Sequence, residues 1–481
     1  MWTTELSYVY PEIWLVTMTC FILTLVLFVS KHSKWIIYSL CQFTLLGTIF
    51  WILQNTDLKT TLVFNNMFTL DPMGSLLKLM ICLIGFFVFL YSRQYVFERK
   101  IYRGEYYILS LFSIFGMMIL ISAKNFLSLY LGIELFALPL YALITIAKED
   151  KVAPEAAIKY FVMGALASGM LLYGISLLYG VTGSFDMGEI ATELFYQSAP
   201  THPALLLGMV LIVVGLAFKF GAVPFHMWLP DVYQGAPICV TLFIGTLPKL
   251  AAFGFAIRIF SDTFQAFNTE WRQLLAIMAI LSLAIGNIVA IAQVNLKRML
   301  AYSTIAHIGF LFLGILAGPS VGYAAALDYV LIYVLMALGV FGVMTAFSYQ
   351  GFEAENIQDF RGLSQRDPWA AFLMMIIFLS LAGIPPFAGF FAKLFVINAL
   401  IMAGYAWLAV FAVLLTVIGA FYYLRVIRVM FFDVPIANNH YQPISRPGIA
   451  VLSLNGLTIL ALGIFPAPLL NVCTAVMSLP R

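Results

Sequence analysis

Several charged residues of this sequence stand inside long apolar runs, where a charge is unusual. Lys219 is the clearest case, since its run begins at Ala204 and reaches Pro224 five residues after the lysine. A lysine near the centre of a bilayer costs ~2.5–3.5 kcal/mol, so we treat it first as a functional residue. Pro224 cannot donate a hydrogen bond to the Phe220 carbonyl, which predicts a broken helix beside the charge. Broken helices at mid-membrane are typical of ion-translocating proteins, and a structural kink with a buried ion pair is the alternative.

Four further charged residues lie within apolar segments. Glu134 is about eight residues, or ~12 Å, into its segment with no sequence neighbour to neutralise it, so we expect it to pair with a lysine. Lys159 lies about one turn inside a segment, Lys249 follows Pro248 directly, and Lys393 follows a break rich in glycine and proline. Burying five charges costs ~10 kcal/mol or more, which favours a path for ions.

Lysine suits protons in particular, because its amine can take up or release a proton as a carboxylate approaches or moves away. A sodium site would need several oxygen ligands, and the apolar segments hold few carboxylates. Structural roles are the alternatives, with Glu134 and Lys219 as a static buried pair and Lys159 as a stem along the interface. We interpret Lys78, about one turn from a helix end, as a structural residue whose amine reaches water.

Composition places the chain in a membrane. Of its 481 residues, 63% are hydrophobic and 10% are charged. The net charge of +3 comes from dispersed basic residues, which gives no sign of a nucleic-acid surface. The five cysteines and five histidines stand apart, so we expect neither disulfides, nor a metal site, nor a haem. The first apolar segment follows an acidic stretch, and we expect it to be a retained helix.

The predicted fold is an all-α polytopic membrane protein of about fourteen transmembrane helices, at ~20 residues for each crossing. The apolar stretches lie near residues 12–30, 35–53, 74–92, 107–122, 126–147, 155–181, 204–229, 236–259, 271–292, 299–317, 323–349, 369–402, 405–431 and 447–468. The seventh should be discontinuous at Pro224, and the twelfth is too long for one crossing and should break within 383–389. Residues 186–198 predict a short interfacial helix.

The basic residues predict the orientation. With the N-terminus outside, the inner loops hold fifteen lysines and arginines and the outer regions hold five. The inner set is Lys31, Lys34, Arg93, Arg99, Lys100, Arg103, Lys148, Lys151, Lys297, Arg298, Arg361, Arg366, Arg425, Arg428 and Arg446. The outer set is Lys59, Lys124, Arg258, Arg272 and Arg481. The positive-inside rule then places both termini outside.

Three sequence matches in the same order indicate an internal repeat. The matching segments are 124–127 with 297–300, 156–160 with 325–329, and 221–225 with 382–386. Each unit contains five helices, an odd number, so the second should be inverted relative to the first. The predicted divisions are 1–106 with helices one to three, 107–260 with helices four to eight, 261–432 with helices nine to thirteen, and 433–481 with helix fourteen.

Two histidines are candidate proton carriers. His226 follows the predicted break and could pass protons between Lys219 and the inner surface; a satisfied polar residue at a helix end is an equal alternative. His307 occupies the repeat position of Glu134, since each lies ten residues after the start of its match, and it could link two half-paths.

Four features together resemble a known family. They are FKFGAVPFHMWLPDVYQGAP at 218–237, the intramembrane Glu134, GIPPFAGFFAK at 383–393, and the plan of fourteen spans. Over nearly its whole length the chain resembles the antiporter-like subunits of bacterial proton-pumping NADH:quinone oxidoreductase, respiratory complex I. Within that family the chain resembles one particular subunit, because it has a lysine at position 393 and stops shortly after the fourteenth span.

The resemblance implies a proton channel without a redox centre of its own, acting as a non-redox subunit of a translocase in the bacterial inner membrane, with both termini in the periplasm. It places flavin, iron–sulfur clusters and quinone in partner subunits, and it implies other membrane-arm subunits, including antiporter-like ones, as partners. Glu134 and Lys219 correspond to a coupled pair, Lys249 to a central relay, and Lys393 to a terminal site. Lys159 corresponds to a further lysine of less settled role.

Other functions remain open from the sequence. A subunit of a multi-subunit Na⁺/H⁺ antiporter is the first alternative, because its large subunits are related and share both broken helices. A lone carrier of a small organic solute comes next, and a membrane scaffold last. Neighbouring genes for flavin and iron–sulfur subunits would separate the first two.

Overall fold

The computed structural model describes residues 2–28, 34–55, 60–99, 104–147, 152–196, 199–319, 321–349, 351–435 and 444–479. Within these ranges the chain is almost wholly helical. The α-helices are α1 (Trp2–Ser7), α2 (Tyr10–Val26), α3 (Lys34–Gln54), α4 (Pro72–Glu98), α5 (Glu105–Ser122), α6 (Phe126–Ile144), α7 (Ala153–Thr182), α8 (Met187–Tyr196), α9 (Pro203–Phe220), α10 (Trp228–Gly235), α11 (Ile238–Ile257), α12 (Asn268–Ile291), α13 (Leu296–Ala317), α14 (Gly322–Phe347), α15 (Leu363–Arg366), α16 (Pro368–Ala382), α17 (Ala388–Met402), α18 (Ala406–Phe431), α19 (Arg446–Ile464) and α20 (Ala467–Ser478). A short hairpin of β1 (Thr61–Val63) and β2 (Phe68–Leu70) precedes α4, with Thr61 opposite Leu70.

Twelve of the described helices are long and apolar enough to cross a membrane. The predicted first span is α2, with 17 residues, and the predicted twelfth is divided into α16 and α17, with 15 residues each. A multi-span helical membrane protein is thus confirmed, whereas the total of fourteen crossings and the division into inverted units stay predictions. Seven of the basic residues used to predict the orientation lie outside the described residues. They are Lys31, Lys100, Arg103, Lys148 and Lys151 of the inner set, and Lys59 and Arg481 of the outer set.

Both predicted breaks are present. Residues 221–227 separate α9 from α10, and residues 383–387 separate α16 from α17. Gly221 and Gly383 end the first half-helix in each case, with φ of 77° and 81°. Glycine suits these positions because it adopts positive φ without the steric penalty of a side chain. Each break leaves backbone carbonyls of the preceding half-helix free to accept other hydrogen bonds.

The centre of the protein is built from α11, α13 and α14. All twenty residues of α11 are buried, and most residues of the other two are as well. These helices are apolar on every side, which is the pattern of a helix surrounded by other helices. The outer helices α7 and α18 instead expose apolar side chains, among them Phe161 and Leu166 on α7 and Val417 and Phe421 on α18. Those surfaces are suited to lipid or to another membrane subunit.

Two small helices complete the fold. The predicted interfacial helix is present as α8. The sequence did not predict α20, a helix of 12 residues that buries only Cys473 and Met477. The helix packs against α14. It was missed because the segment is too short to register as a span.

Two basic residues are buried in ion pairs that the sequence did not predict. Lys78 is 2% exposed, and its amine lies 2.6 Å from the carboxylate of Glu12 on α2, so the prediction that it reaches water is wrong. Arg258, assigned to an outer region, is fully buried in a π-helical turn and binds both oxygens of Asp71 at 2.7 and 2.9 Å. Both carboxylates come from segments remote in the sequence, so spacing could not reveal them.

Candidate functional site

Lys219 has no hydrogen-bond partner among the described residues. It lies in the last turn of α9, 7% exposed, with its amine 5.4 Å from the ring centre of Phe136 and 5.9 Å from that of Phe218. Glu134, half-buried on α6, instead accepts a hydrogen bond of 2.5 Å from Ser168 on α7. Glu134 and Lys219 interact only through space, without a hydrogen bond between them, so the expected direct pair is not formed in this structure.

Lys249 is held by the first broken helix. Its amine donates a hydrogen bond of 2.7 Å to the carbonyl of Phe220, the last residue of α9. The indole of Trp228, the first residue of α10, donates to the carbonyl of Phe218 at 3.1 Å and lies 5.7 Å from the same amine. The interrupted backbone therefore supplies the polar group that a fully buried ammonium needs.

Lys393 is held by the second broken helix in a similar way. Its amine donates hydrogen bonds of 3.0 Å to the carbonyls of both Leu381 and Ala382, at the end of α16. A Cβ atom at Gly383 would lie 2.8 Å from Cδ and 2.9 Å from Nζ of Lys393, so the glycine also makes room for this side chain. At both breaks a buried lysine thus caps the carbonyl end of a half-helix.

His307 joins three helices through two tyrosines. Its Nδ1 lies 2.7 Å from the hydroxyl of Tyr329 on α14, and its Nε2 lies 3.2 Å from the hydroxyl of Tyr423 on α18. His307 and Lys393 line one small pocket together with Tyr423 and Asn287. The structure therefore brings the histidine and the terminal lysine to one site, as a connected path requires.

The distance of each residue from its helix cap allows the positions of His307 and Glu134 to be compared. The side chains of Asn125 and Asn295 cap α6 and α13 in the same way. Glu134 is the ninth residue after its cap, whereas His307 is the twelfth after its own. Thr304 lies nearer to the equivalent position, so His307 is about one turn farther along its helix.

His226 is buried in the first break and lies close to the backbone of Pro224. Its Nδ1 has no hydrogen-bond partner among the described side chains. No direct contact joins it to Lys219 within the described ranges. The structure places it inside the break and not after it, and its role stays a prediction.

Lys159 differs from the other lysines because it lies at the surface of this chain. Its side chain is 44% exposed and forms ion pairs of 2.9 Å with Glu155 and with Asp231. Asp231, on α10, also binds Arg298 of α13 at 2.8 Å. The expectation of a buried charge at position 159 is wrong for this chain, because the helix face that carries the lysine is turned outward.

Sequence reasoning missed one buried cluster of charged residues and one isolated buried carboxylate. Lys297 is 1% exposed and lies 3.0 Å from Glu355 and 3.9 Å from Glu353, in a segment that the prediction treated as a loop. Asp328, on α14, is 1% exposed, and neither of its carboxylate oxygens has a partner among the described residues. The depth of Asp328 within its apolar run was a usable signal of the kind that singled out Glu134 and the buried lysines.

The arrangement is suited to proton transfer. Lysine, histidine and tyrosine side chains can each accept or donate a proton. Lys219 and the amine of Lys249 lie at the end of α9, and His307 of α13 shares a pocket with Lys393 of α17. Groups of three histidine, cysteine or acidic residues able to hold a metal ion do not occur within the described ranges.

A family model described as "NADH:quinone oxidoreductase/Mrp antiporter, TM" matches residues 123–419. The matched region includes both broken helices and every buried lysine from Lys219 to Lys393. The fold is shared with solved structures of this class. The chain is similar to one in the respiratory complex I of Thermus thermophilus with bound aureothin, with a TM-score of 0.83, 31% identity, and coverage of 97% of this chain and 99% of that one.

A chain in the Mrp complex of Dietzia sp. has the same fold at lower identity, with a TM-score of 0.81, 20% identity, and coverage of 99% of this chain and 97% of that one. Relatives found by sequence define the family more narrowly than the shared fold does. NADH-quinone oxidoreductase subunit N of Thioalkalivibrio sulfidiphilus is 50% identical, covering 98% of both chains. Subunit N of Thiobacillus denitrificans is 49% identical, covering 96% of this chain and 95% of the relative. The chain belongs to the NADH-quinone oxidoreductase subunit N family.

Proposed function

We propose that this chain is a proton-translocating membrane subunit of NADH:quinone oxidoreductase, without a redox centre of its own. Flavin, iron–sulfur clusters and quinone belong to its partner subunits, and other antiporter-like subunits lie beside it in the membrane arm. Its own residues bind protons, hand them on, and respond to movement in the partners. Relatives named subunit N at about half identity over nearly the full length support this assignment.

The observation that carries the proposal is the contrast between Lys219 and the two buried lysines that bind the ends of the broken helices. Lys249 and Lys393 each donate to carbonyls at the end of a broken helix, whereas Lys219 has no such partner. An amine without a partner in a low-dielectric interior holds its proton weakly. Lys219 is therefore the lysine whose protonation a moving carboxylate can control.

Glu134 is that carboxylate. When it approaches Lys219 it stabilises the ammonium, and when it moves back toward Ser168 the ammonium loses this support. The proton then passes from Lys219 to Lys249, whose amine binds the carbonyl of Phe220 at the same helix end. His307 and Lys393, which share one pocket, carry it onward. His226, in the first break, lies where protons would enter toward Lys219.

Lys159 has a different part in this scheme. Its ion pairs with Glu155 and Asp231 lie on an exposed face of the chain. Asp231 belongs to α10, the half-helix that begins with Trp228. A partner subunit that displaced Lys159 would therefore act on the first break through Asp231.

The two termini lie on the outer side of the bacterial inner membrane in this proposal. The fifteen basic residues assigned to inner loops against five assigned to outer regions support the orientation. A subunit of a Na⁺/H⁺ antiporter shares the fold, but the Mrp relative is 20% identical whereas subunit N relatives reach 50%.

The test is to purify the chain from its native membrane under conditions that preserve complexes. We expect it to co-purify with NADH:quinone reductase activity, and with subunits that contain flavin and iron–sulfur clusters. Sealed vesicles made from the same membranes should acidify on NADH addition. Isolation in a complex that exchanges Na⁺ for H⁺ and lacks the reductase would overturn the proposal.

A further inference from the structure

Asp328 is a buried carboxylate that the scheme above does not use. It is the seventh residue of α14, ~9 Å along the helix from its first residue, on the side where the C-terminal helix α20 packs. Its side chain is 1% exposed, and both oxygens lack a hydrogen-bond partner among the described residues. Burying a carboxylate without a partner is costly, and the protonated form avoids most of that cost.

The proton path already described reaches the residue next to Asp328. Tyr329 contacts Nδ1 of His307 at 2.7 Å, and His307 shares a pocket with Lys393. Successive residues of a helix point about 100° apart, so Tyr329, which contacts His307, and Asp328 lie on different faces of α14. Helix α14 therefore carries one contact to the cluster and, at the next position, an acid directed toward α20.

A polar opening lies at the C-terminal end of α20. Cys473 of α20 is close enough to Asp328 to interact with it electrostatically, and Met477 follows one turn later on the same buried face. Met477 also lines an open polar cleft of about 340 Å³ together with Lys124, Asp262 and Gln265. Lys124 and Asp262 form an ion pair of 2.7 Å there. The buried face of α20 thus lies near the acid at Cys473 and reaches the polar cleft at Met477, ~6 Å farther along the helix.

We propose that Asp328 is the site from which the proton leaves this chain toward the outer side, with α20 as the cover of the exit. The carboxyl O–H gives its proton to water in the polar cleft, and the carboxylate then takes a proton from the cluster of His307 and Lys393. This inference rests on the proposed function, because it assumes that protons cross this chain.

The experiment compares three variants of the complete complex in sealed membrane vesicles. Asp328→Asn keeps the shape of the side chain but cannot release a proton, and Asp328→Glu keeps the carboxyl group. Thr345→Ala is the matched control, since Thr345 is a buried polar residue of the same helix whose hydroxyl bonds only to the carbonyl of Phe341 in its own helix. For each, protons pumped per NADH oxidised and the midpoint of thermal unfolding are measured.

We expect Asp328→Asn to lower pumping severalfold while the unfolding midpoint stays the same or rises, because an unpaired buried acid has been removed. Asp328→Glu should keep part of the pumping, and Thr345→Ala all of it. Normal pumping by Asp328→Asn would overturn the inference, as would a loss of pumping that accompanies a lowered midpoint. Lys249→Ala, run in parallel, separates the two proposals: normal pumping in that variant would count against proton transport by this chain as a whole.

Discussion

The amine of Lys249 donates a hydrogen bond of 2.7 Å to the carbonyl of Phe220, the residue at which α9 ends. Lys219 immediately precedes Phe220 in α9. The side chain of Lys249 therefore binds the backbone of the residue next to Lys219. A displacement of this helix end moves Lys219 and the acceptor of Lys249 together. The first break therefore couples two sites whose amines belong to different helices.

Lys249→Ala should lower NADH-driven proton pumping by about tenfold or more, because a positioned proton-transfer group contributes ~10²–10⁴ in rate. The complex should still assemble, since alanine fits a buried apolar helix and no carboxylate is left unpaired by the change. Pumping is measured with a pH-sensitive dye in inverted vesicles, and quinone reduction is followed alongside.

Thr246→Ala is the control for that experiment. Thr246 lies on the same helix, is fully buried, and donates a hydrogen bond of 2.7 Å to the carbonyl of Leu242 in its own helix. Both variants remove one polar group from α11. Equal rates for Lys249→Ala and the control would show that the lysine is a structural residue.

Glu134→Gln should impair pumping severely although the side chain keeps its shape, and Glu134→Asp should retain part of it. Lys219→Arg should also impair it, because arginine stays charged and cannot release the proton. The double variant Glu134→Gln with Lys219→Gln removes both charges and should assemble normally, since neutral replacement of a buried pair costs little stability. We expect it to pump no better than either single variant. Restored pumping in the double variant would mean that the charges serve only the fold.

Gly383→Ala should disturb the second break and the lysine beside it. A side chain at positive φ costs ~1–2 kcal/mol, and the new Cβ would also press on Nζ of Lys393. Gly404→Ala is the matched control, because Gly404 has φ of 85° and open space around its missing side chain. Both variants should lower the unfolding midpoint of the complex, and only Gly383→Ala should reduce pumping. A similar loss of pumping in both variants would show that backbone strain, and not the contact with Lys393, causes the loss.

Lys78→Met should destabilise the complex by ~3–5 kcal/mol, because it leaves the carboxylate of Glu12 buried without its partner. The amine and the carboxylate are 2.6 Å apart, at 2% and 5% exposure of the two residues. Adding Glu12→Gln should recover most of the loss. The measurements are the yield of assembled complex and its unfolding midpoint; a stable Lys78→Met variant would contradict a role for this pair in holding α2 against α4.

The orientation can be tested with a matched pair of exposed positions. Gln365 precedes α16 and is assigned to the inner side, while Thr192 on α8 is assigned to the outer side. In right-side-out vesicles an impermeant thiol reagent should label Thr192→Cys and leave Gln365→Cys unmodified. The reverse pattern would invert the proposed topology.

The residues that interrupt or charge an apolar run could be read from the sequence. Pro224 and the segment 383–387 predicted both broken helices, and the depth of Lys219, Lys249 and Lys393 predicted their burial. These features are local, because a proline removes a backbone donor from its own helix and a charge inside an apolar run meets the bilayer whatever surrounds it. The helical membrane architecture and the burial of these three lysines were therefore determined by the sequence alone.

The partners of those charges were decided only by the tertiary structure. Glu134 contacts Ser168 rather than Lys219, Lys159 lies on an exposed face, and Asp328 lies unpaired beneath a helix that the sequence did not predict. Each outcome depends on which helices become neighbours and on how far each is rotated about its axis. Helices that are apolar on all sides carry no periodic signal for either choice, so packing between segments remote in sequence sets which charge meets which partner.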